Sequence, residues 1–257
     1  MFRLIKNLIY LFSGKPKNLK KADKNETIGL ILNRRSCRSF KDEEISQQDL
    51  QAILEAGRFA PSTVNMQTWS FITFTQKQWH EVFNRPIPFK GAFAFVICAD
   101  TYRLKGFLSD FRETPFVNLA FAVFNAGLAA MNMTIAAEAL GLNSIMLSET
   151  GKTGLLDFDH LKEKLNLPVG VLPLTTLVIG KPDTKKPGIP PRQPWDSTVM
   201  SRTYNPAAGD KLEDWFQQMF IGYKLTHPLS SFDKQIEFYR KKMLEAEENL
   251  KKQLFNI

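Results

Sequence analysis

One segment of the sequence, residues 115–140, carries a single charged side chain, Glu138. Its alanine, phenylalanine, leucine and methionine content predicts one long helix, and Gly141 follows at the position of a C-terminal cap. A helix without a charged face cannot lie on a solvated surface. It must be buried on nearly all sides, so the chain either folds around this helix or assembles through it in a subunit interface.

Runs of aromatic and β-branched residues predict strands near this helix. They are WSFITFT (69–75), AFAFVICA (92–99), the strand or strand-like loop SIMLSETG (144–151) and PLTTLVIG (173–180). Further helices are predicted over 27–34 and from an N-cap at Ser46, with Asp49 three residues on, to about residues 57–61. Residues 181–195 are too rich in proline for regular structure. Helices and strands follow each other without regular βαβ alternation, which indicates the α+β class.

The net charge of +8 comes from the two ends of the chain. Residues 1–24 carry seven lysines and arginines against one acid, residues 223–257 carry seven against five, and the middle is neutral. A nucleic-acid-binding face on the body would need clustered positive charge there, so no nucleic-acid partner is expected. Two cysteines are too few for a disulfide framework and indicate a reducing cytosol. The three histidines lie far apart in sequence, and no metal site is expected.

Both ends predict helices outside the body. In residues 1–24, Phe2, Ile5, Ile9 and Phe12 recur at helical spacing, but the run is too short and too interrupted to span a bilayer. This basic amphipathic helix either docks on the body or a partner subunit, or makes weak peripheral contact with an anionic membrane. Near the other end a heptad seam packs against the body or a partner, or forms an independent coiled coil. The seam consists of Phe232, Ile236, Tyr239, Met243, Ala246 and Leu250.

The stretch RRSCRSF, Arg34 to Phe40, concentrates candidate functional residues. Three arginines can lower the pKa of the Cys37 thiol, but arginine cannot accept a proton and no histidine lies nearby, which disfavours a cysteine nucleophile. A solvated charge run does not explain the hydroxyls between the arginines. Guanidinium forks and serine hydroxyls bind phosphate well, so an anion site is the favoured interpretation.

A second motif, AGRFAPSTVNMQTWSF (56–71), joins a helix end to a strand through amides and hydroxyls. Such groups suit recognition of a flat heterocycle with alternating donors and acceptors, although a simple hydrogen-bonded turn has the same composition.

The two motifs together resemble the flavin-dependent nitroreductase family, with its pattern RRSxRxF followed by a helix ending in APSxxNxQPWxF. Two further matches follow in the family's order: the neutral helix AAMNMTIAAEALGLNS (129–144), and LVIGKPD followed by PPRQP. The resemblance covers about residues 27–200. It implies an α+β fold with a central, mostly antiparallel sheet flanked by helices, in an intertwined homodimer with two FMN sites at the subunit interface. The predicted divisions are residues 1–24, an FMN-binding domain over 25–204, and a C-terminal helical extension over 205–257.

The resemblance also implies residue roles. Arg34, Ser36 and Arg192 would hold the FMN phosphate, with Arg35 near the phosphate or ribityl chain. Arg38 would face the pyrimidine edge of the ring, where a cation stabilises the reduced form. Backbone N–H groups near flavin N5 and O4 would come from Leu147, Ser148 and Glu149. The residues lining the ring, some of them from the partner subunit, would be Pro61, Ser62, Asn65 and Gln67. No catalytic side chain is implied, because the chemistry takes place at flavin N5.

The sequence departs from the family pattern at three places. Thr68 replaces the proline of NxQPW, Asn143 replaces a glycine, and Pro190 stands where some members carry a basic residue, for which Lys185 or Lys186 could substitute. The implied activity is cytoplasmic, FMN-dependent oxidation of NAD(P)H by a ping-pong mechanism, with nitroaromatics, quinones or related small molecules as acceptors. The hydroxyls in SETG are also compatible with a reductive dehalogenase of the same superfamily. An enoate reductase and a non-catalytic, membrane-associated flavin-binding protein are compatible with the sequence as well.

Overall fold

The computed structural model describes residues 25–107, 114–183, 190–206 and 212–255. The predicted N-terminal helix, Lys185 and Lys186 lie outside these residues. The described residues divide between two compact units, one within residues 22–186 and 242–257 and one within residues 187–241. The predicted division at residues 24 and 204 stays a prediction.

The first unit is built on a four-stranded sheet in the order β1-β2-β4-β3, with every neighbouring pair antiparallel. The strands are β1 (Trp69–Thr75), β2 (Phe93–Asp100), β3 (Asn143–Leu147) and β4 (Val171–Gly180). Trp69 lies opposite Ala99, and Asn143 opposite Gly180. The predicted α+β class with an antiparallel sheet is confirmed. The predicted strand 144–151 ends at Leu147, where a turn begins.

Side chains of β2 alternate between two apolar clusters because successive residues of a strand point to opposite faces. Phe95 and Ile97 pack with Leu50, Ile53 and Met133 on one side of the sheet. On the other side, the cluster contains Phe74, Trp79, Val96, Cys98, Ile145 and Leu161. The sheet is therefore covered on both faces, which explains why β2 reads as a continuous apolar run.

The helices of the first unit are α1 (Glu26–Asn33), α2 (Gln47–Arg58), α3 (Gln76–Phe83), α4 (Pro115–Ala139) and α5 (Phe158–Leu165). Ser46 caps α2 as predicted, since its hydroxyl accepts from Asp49 N at 3.0 Å. Helix α3 was not expected. Its sequence signal is a capping box, in which the Thr75 and Gln78 side chains each accept from the other residue's backbone N–H.

Helix α4 is the predicted uncharged helix, and Gly141 (φ +73°) follows its end. Its length and composition would allow it to cross a membrane, but core helices of soluble proteins share these properties. From Asn125 onward it contributes most of its residues to the core. Its first half leaves apolar side chains exposed, including Val117, Phe121 and Phe124. Burial on nearly all sides therefore holds only for its second half.

The second unit contains α6 (Trp195–Thr198), α7 (Glu213–Thr226) and the first part of α8 (Phe232–Phe255). The ring of Phe232 is buried against those of Phe216, Phe220 and Tyr223. The spacing of apolar residues in the sequence does not predict the bounds of helix α7.

Helix α8 confirms the predicted C-terminal helix, but its heptad seam is only partly buried. Phe232 and Ala246 are buried, whereas Ile236 and Met243 are half or more exposed. From residue 242 onward α8 belongs to the first unit. There, Lys242 and Ala246 lie one turn apart on the same face, and both are largely covered.

Candidate functional site

The RRSCRSF segment lies directly after α1 and is attached to the sheet at both ends. Ser36 forms a parallel bridge with Ser144 at the start of β3, where Cys37 N donates to Ser144 O at 2.9 Å. Phe40 forms an antiparallel bridge with Pro182, just after β4. Phe40 also packs against Gly180, which lies opposite Asn143, so this end of the segment is next to the start of β3 and the end of β4.

Burial alternates along this segment. Arg34 and Ser36 are partly exposed and Arg38 is exposed, whereas Arg35 and Cys37 are buried. This is the pattern of an extended chain with opposite faces. Arg34 and Arg38 are four residues apart, about 13 Å at the rise of a strand. One short segment thus presents two cations and a hydroxyl on a single side.

The buried face of the segment contacts other parts of the chain, and the predicted role of Arg35 toward FMN stays a prediction. Arg35 Nη1 donates to Leu32 O at 2.8 Å and to Arg34 O at 2.6 Å, satisfying carbonyls at the end of α1. Cys37 packs in the apolar cluster with Ile145 and its thiol donates to Ser39 O at 3.1 Å. A thiol so enclosed lacks the partial exposure that nucleophilic cysteines need. Cys98 is buried as well, and burial raises the pKa of its thiol to about 12.

Residues 61–67 form a tight turn between α2 and β1. Ser62 Oγ accepts from Gln67 N at 3.0 Å, and Gln67 Nε2 donates to Asn65 Oδ1 at 3.2 Å. Val64, Asn65 and Gln67 all have positive φ, between 49° and 56°. This conformation is costly for a β-branched residue such as Val64, so surrounding contacts must enforce it. Pro61 opens the same turn.

Those contacts come from Asn125 in the middle of α4. Its Oδ1 accepts from Thr63 N at 3.0 Å and from Thr63 Oγ1 at 3.2 Å, and its Nδ2 donates to Thr68 Oγ1 at 2.9 Å. Asn125 is fully buried. The hydroxyl of Thr68, where the family pattern has proline, is thus used to hold the turn. Sequence reasoning missed Asn125, which is one of three asparagines in this apolar helix and is not distinguished from Asn118 and Asn132 by the sequence.

A second clamp holds the end of the turn. Arg103 donates from Nε to Asp100 Oδ2 at 2.9 Å, and from Nη2 to Gln67 O at 3.2 Å and to Trp69 O. Asp100 is buried and also accepts from the Ser70 hydroxyl. Neither Asp100 nor Arg103 was predicted, because they meet the turn only through the pairing of β1 with β2.

The third part of the site is the turn after β3. Leu147 is buried, with its carbonyl accepting from Thr175 Oγ1 at 3.0 Å, while Ser148 is exposed and Glu149 is half-buried. Gly154 folds back onto this backbone so closely that a Cβ there would lie 2.6 Å from Leu147 O and from Ser148 Cα. Only glycine fits, so residues 148–154 form a closed turn.

The predicted site residues therefore fall into three places. The RRSCRSF segment hydrogen-bonds to the start of β3 and to the residues just after β4, whereas residues 147–149 follow at the other end of β3. The hydrogen bonds of the 61–67 turn run to α4 and to the ends of β1 and β2. Arg192 belongs to the other compact unit, so its predicted role stays a prediction.

The residues present fit FMN. The guanidinium groups of Arg34 and Arg38 lie on the accessible face of the segment. Among the described residues, neither group has a hydrogen-bond partner. The hydroxyl of Ser144, at the bridge to Ser36, is buried and unpartnered within the same described ranges. Unused cations and a hydroxyl beside one strand match the needs of a phosphate with a polar chain.

Comparison with known proteins gives one family. The model of the nitroreductase family matches residues 31–181. A Bacillus subtilis protein named FMN reductase (NADPH) is 28% identical over 231 residues, 85% of each chain. An oxygen-insensitive NADPH nitroreductase of Salmonella typhimurium is 29% identical, covering 78% of this chain and 83% of its own. The solved structure of the NfrA1 nitroreductase of B. subtilis superposes with a TM-score of 0.70 at 26% identity, covering 87% of this chain and 96% of that one.

Proposed function

This chain belongs to the nitroreductase family, and on that premise we propose that it is an FMN-dependent oxidoreductase that takes electrons from NAD(P)H and reduces nitroaromatic compounds, quinones or related acceptors. The observation that carries the proposal is the one-sided exposure of Arg34, Ser36 and Arg38 on a segment fixed beside β3. The names of the relatives support the cofactor and the reductant.

FMN, when bound in this site, would supply the hydride and electron transfer between NAD(P)H and the second substrate. The chain supplies binding and orientation. Arg34 and Ser36 would bind the phosphate, and Arg38 would place positive charge at the far end of the ring. The closed turn at Ser148 and Glu149 would present backbone N–H groups. The ring would lie against the rigid turn containing Pro61, Ser62, Asn65 and Gln67.

The proposal predicts that the purified full-length protein is yellow or becomes so with FMN. NADPH or NADH should bleach the bound flavin without an acceptor, and a nitroaromatic added afterwards should restore the colour. Separate half-reactions give parallel double-reciprocal plots, which check the ping-pong order. An acceptor panel with a nitrofuran, a quinone, a halogenated phenol and an enoate separates the branches of the superfamily. A protein that stays colourless with FMN and oxidises no NAD(P)H would contradict the proposal.

We also propose a homodimer that assembles through the first half of α4. Phe121 and Phe124 are 45% and 59% exposed there, and Val117 and Val123 are exposed beside them. A cavity of about 720 Å³ adjoins this face and is lined by Val64, Met66 and Phe121, among others. Exposed apolar patches of this kind mark interaction surfaces. A second copy would bring its 61–67 turn or its RRSCRSF segment to a shared flavin.

The double substitution Phe121→Glu/Phe124→Glu should convert the dimer to a monomer in sedimentation or light-scattering measurements. Two charges on each copy would have to be buried unpaired in the interface. FMN affinity should fall with dimerisation, because each flavin would be held by both copies. The matched control, Phe238→Glu on α8, should leave the mass unchanged. An unchanged dimer in the double variant would exclude this face. Peripheral membrane contact through residues 1–24 stays a prediction.

A further inference from the structure

The C-terminal helix α8 reaches the turn after β3 with one side chain. Lys242 Nζ lies 3.1 Å from Glu149 Oε1, and 3.0 and 3.1 Å from the two carboxylate oxygens of Asp157. The side chain of Lys242 is 20% exposed, and those of Glu149 and Asp157 are each 13% exposed. Ion pairs shielded to this degree are stronger than those on an open surface.

The two carboxylates mark the two ends of one turn, residues 148–157. Inside it, Lys152 N donates to Glu149 O, Leu156 N to Ser148 O, and Asp157 N to Gly154 O. Gly151 and Lys152 have positive φ. One ammonium group therefore joins the start and the end of a turn whose interior is already closed by backbone hydrogen bonds.

Lys242 is positively charged at neutral pH. Burial acts to lower its pKa, but the hydrogen bonds that Lys242 donates to Asp157 and Glu149 outweigh this and raise the pKa above its usual value. Lys242 also lies on the face of α8 that carries the buried Ala246, so packing fixes the helix on the body next to the ion pair. The family model ends at residue 181, and this contact therefore comes from a part of the chain beyond it.

We propose that Lys242 is a positioning residue for the redox site: it holds the two ends of the 148–157 turn together and offsets part of the negative charge of Glu149 beside the flavin ring. The inference rests on the proposed function, which places the backbone of Ser148 and Glu149 against FMN. Reduction adds negative charge to the flavin. An unpaired Glu149 carboxylate nearby would oppose that change, and a carboxylate paired with Lys242 opposes it less.

The test compares Lys242→Met, Lys242→Arg and Lys251→Met in the full-length protein. Lys251 is a matched control because it lies on α8 and pairs with Glu247 and Glu248, but about half of its side chain is exposed. In Lys242→Met, amide hydrogen exchange over 148–157 should rise about tenfold in the FMN-free protein. The preference of the protein for reduced over oxidised FMN should fall about tenfold, which lowers the midpoint potential by about 30 mV for a two-electron couple. In Lys242→Arg, both the exchange rate over 148–157 and the preference for reduced FMN should stay within twofold of the wild-type values. Lys251→Met should change neither quantity.

Each outcome decides the matter. A lower melting temperature in Lys242→Met with unchanged exchange over 148–157 and unchanged potential would show an ion pair that only stabilises the fold, and would overturn the inference. Equal exchange rates over 148–157 and equal midpoint potentials in Lys242→Met and Lys251→Met would also overturn the inference. In both cases wild-type protein that binds FMN and turns over NAD(P)H leaves the proposed function standing. Failure of the wild type to bind FMN contradicts the proposed function and this inference together.

Discussion

Replacement of Arg34 by alanine is expected to lower the affinity for FMN about 100-fold while leaving the affinity for riboflavin within twofold. A charge-assisted hydrogen bond to phosphate contributes about 1.5–3 kcal/mol, and riboflavin lacks the phosphate. Arg38→Ala should behave differently, weakening FMN and riboflavin alike and lowering the midpoint potential of the bound flavin. Quenching of flavin fluorescence measures both affinities in the same titration format.

Two control variants accompany this prediction. Arg58→Ala removes an exposed arginine paired with Glu55 on α2, and should leave both affinities within twofold. Cys37→Ser alters the buried face of the RRSCRSF segment and should change neither affinity nor turnover. Equal loss of FMN and riboflavin in Arg34→Ala would show that Arg34 does not bind the phosphate. A strong loss of turnover in Cys37→Ser would revive the cysteine nucleophile.

Asn125→Leu is expected to destabilise the protein by about 2–4 kcal/mol and to lower the melting temperature by about 5–10 °C. The substitution keeps the branching and the number of heavy atoms of the side chain but removes three hydrogen bonds. It leaves Thr63 N and the buried Thr68 hydroxyl without partners. The 61–67 turn, with its three residues at positive φ, then loses the contact that enforces it, so FMN affinity should fall about tenfold.

Thermal denaturation of Asn125→Leu, Thr68→Val and the double variant measures the coupling directly. The double variant should lose less stability than the sum of the losses in the two single variants, because each single variant removes the same hydrogen bond from Asn125 to Thr68. Asn132→Leu on the same helix is the matched control, since Asn132 makes one bond, to Ala56 O at 3.1 Å. It should cost about 1 kcal/mol and leave FMN affinity unchanged. Additive effects of Asn125→Leu and Thr68→Val would show that the two side chains act independently.

Much of the fold could be predicted because its signals are local. The Ser46 cap, the strands at 69–75 and 173–180 and the uncharged helix ending at Gly141 each follow from a few neighbouring residues. Helix α3 was missed because its capping box lies in a polar segment with no apolar periodicity. The heptad seam of α8 was only half right, since Lys242, rather than Met243, is covered. A hydrophobic pattern does not predict that a lysine is largely covered when its partners, Glu149 and Asp157, lie far away in the sequence.

By itself, the sequence determined the α+β class and the resemblance to the nitroreductase family, and that resemblance implied the antiparallel sheet and the segments that carry the candidate flavin site. These depend on residue order and short-range spacing, which are read without coordinates. Only the tertiary structure decided which side of RRSCRSF is accessible, because the bridge from Ser36 to Ser144 sets the register of its alternation. Likewise, only the structure brought Asn125 to the 61–67 turn and Lys242 to the turn after β3. Both are contacts between residues distant along the chain, and a buried polar group gains its role from partners that packing alone supplies.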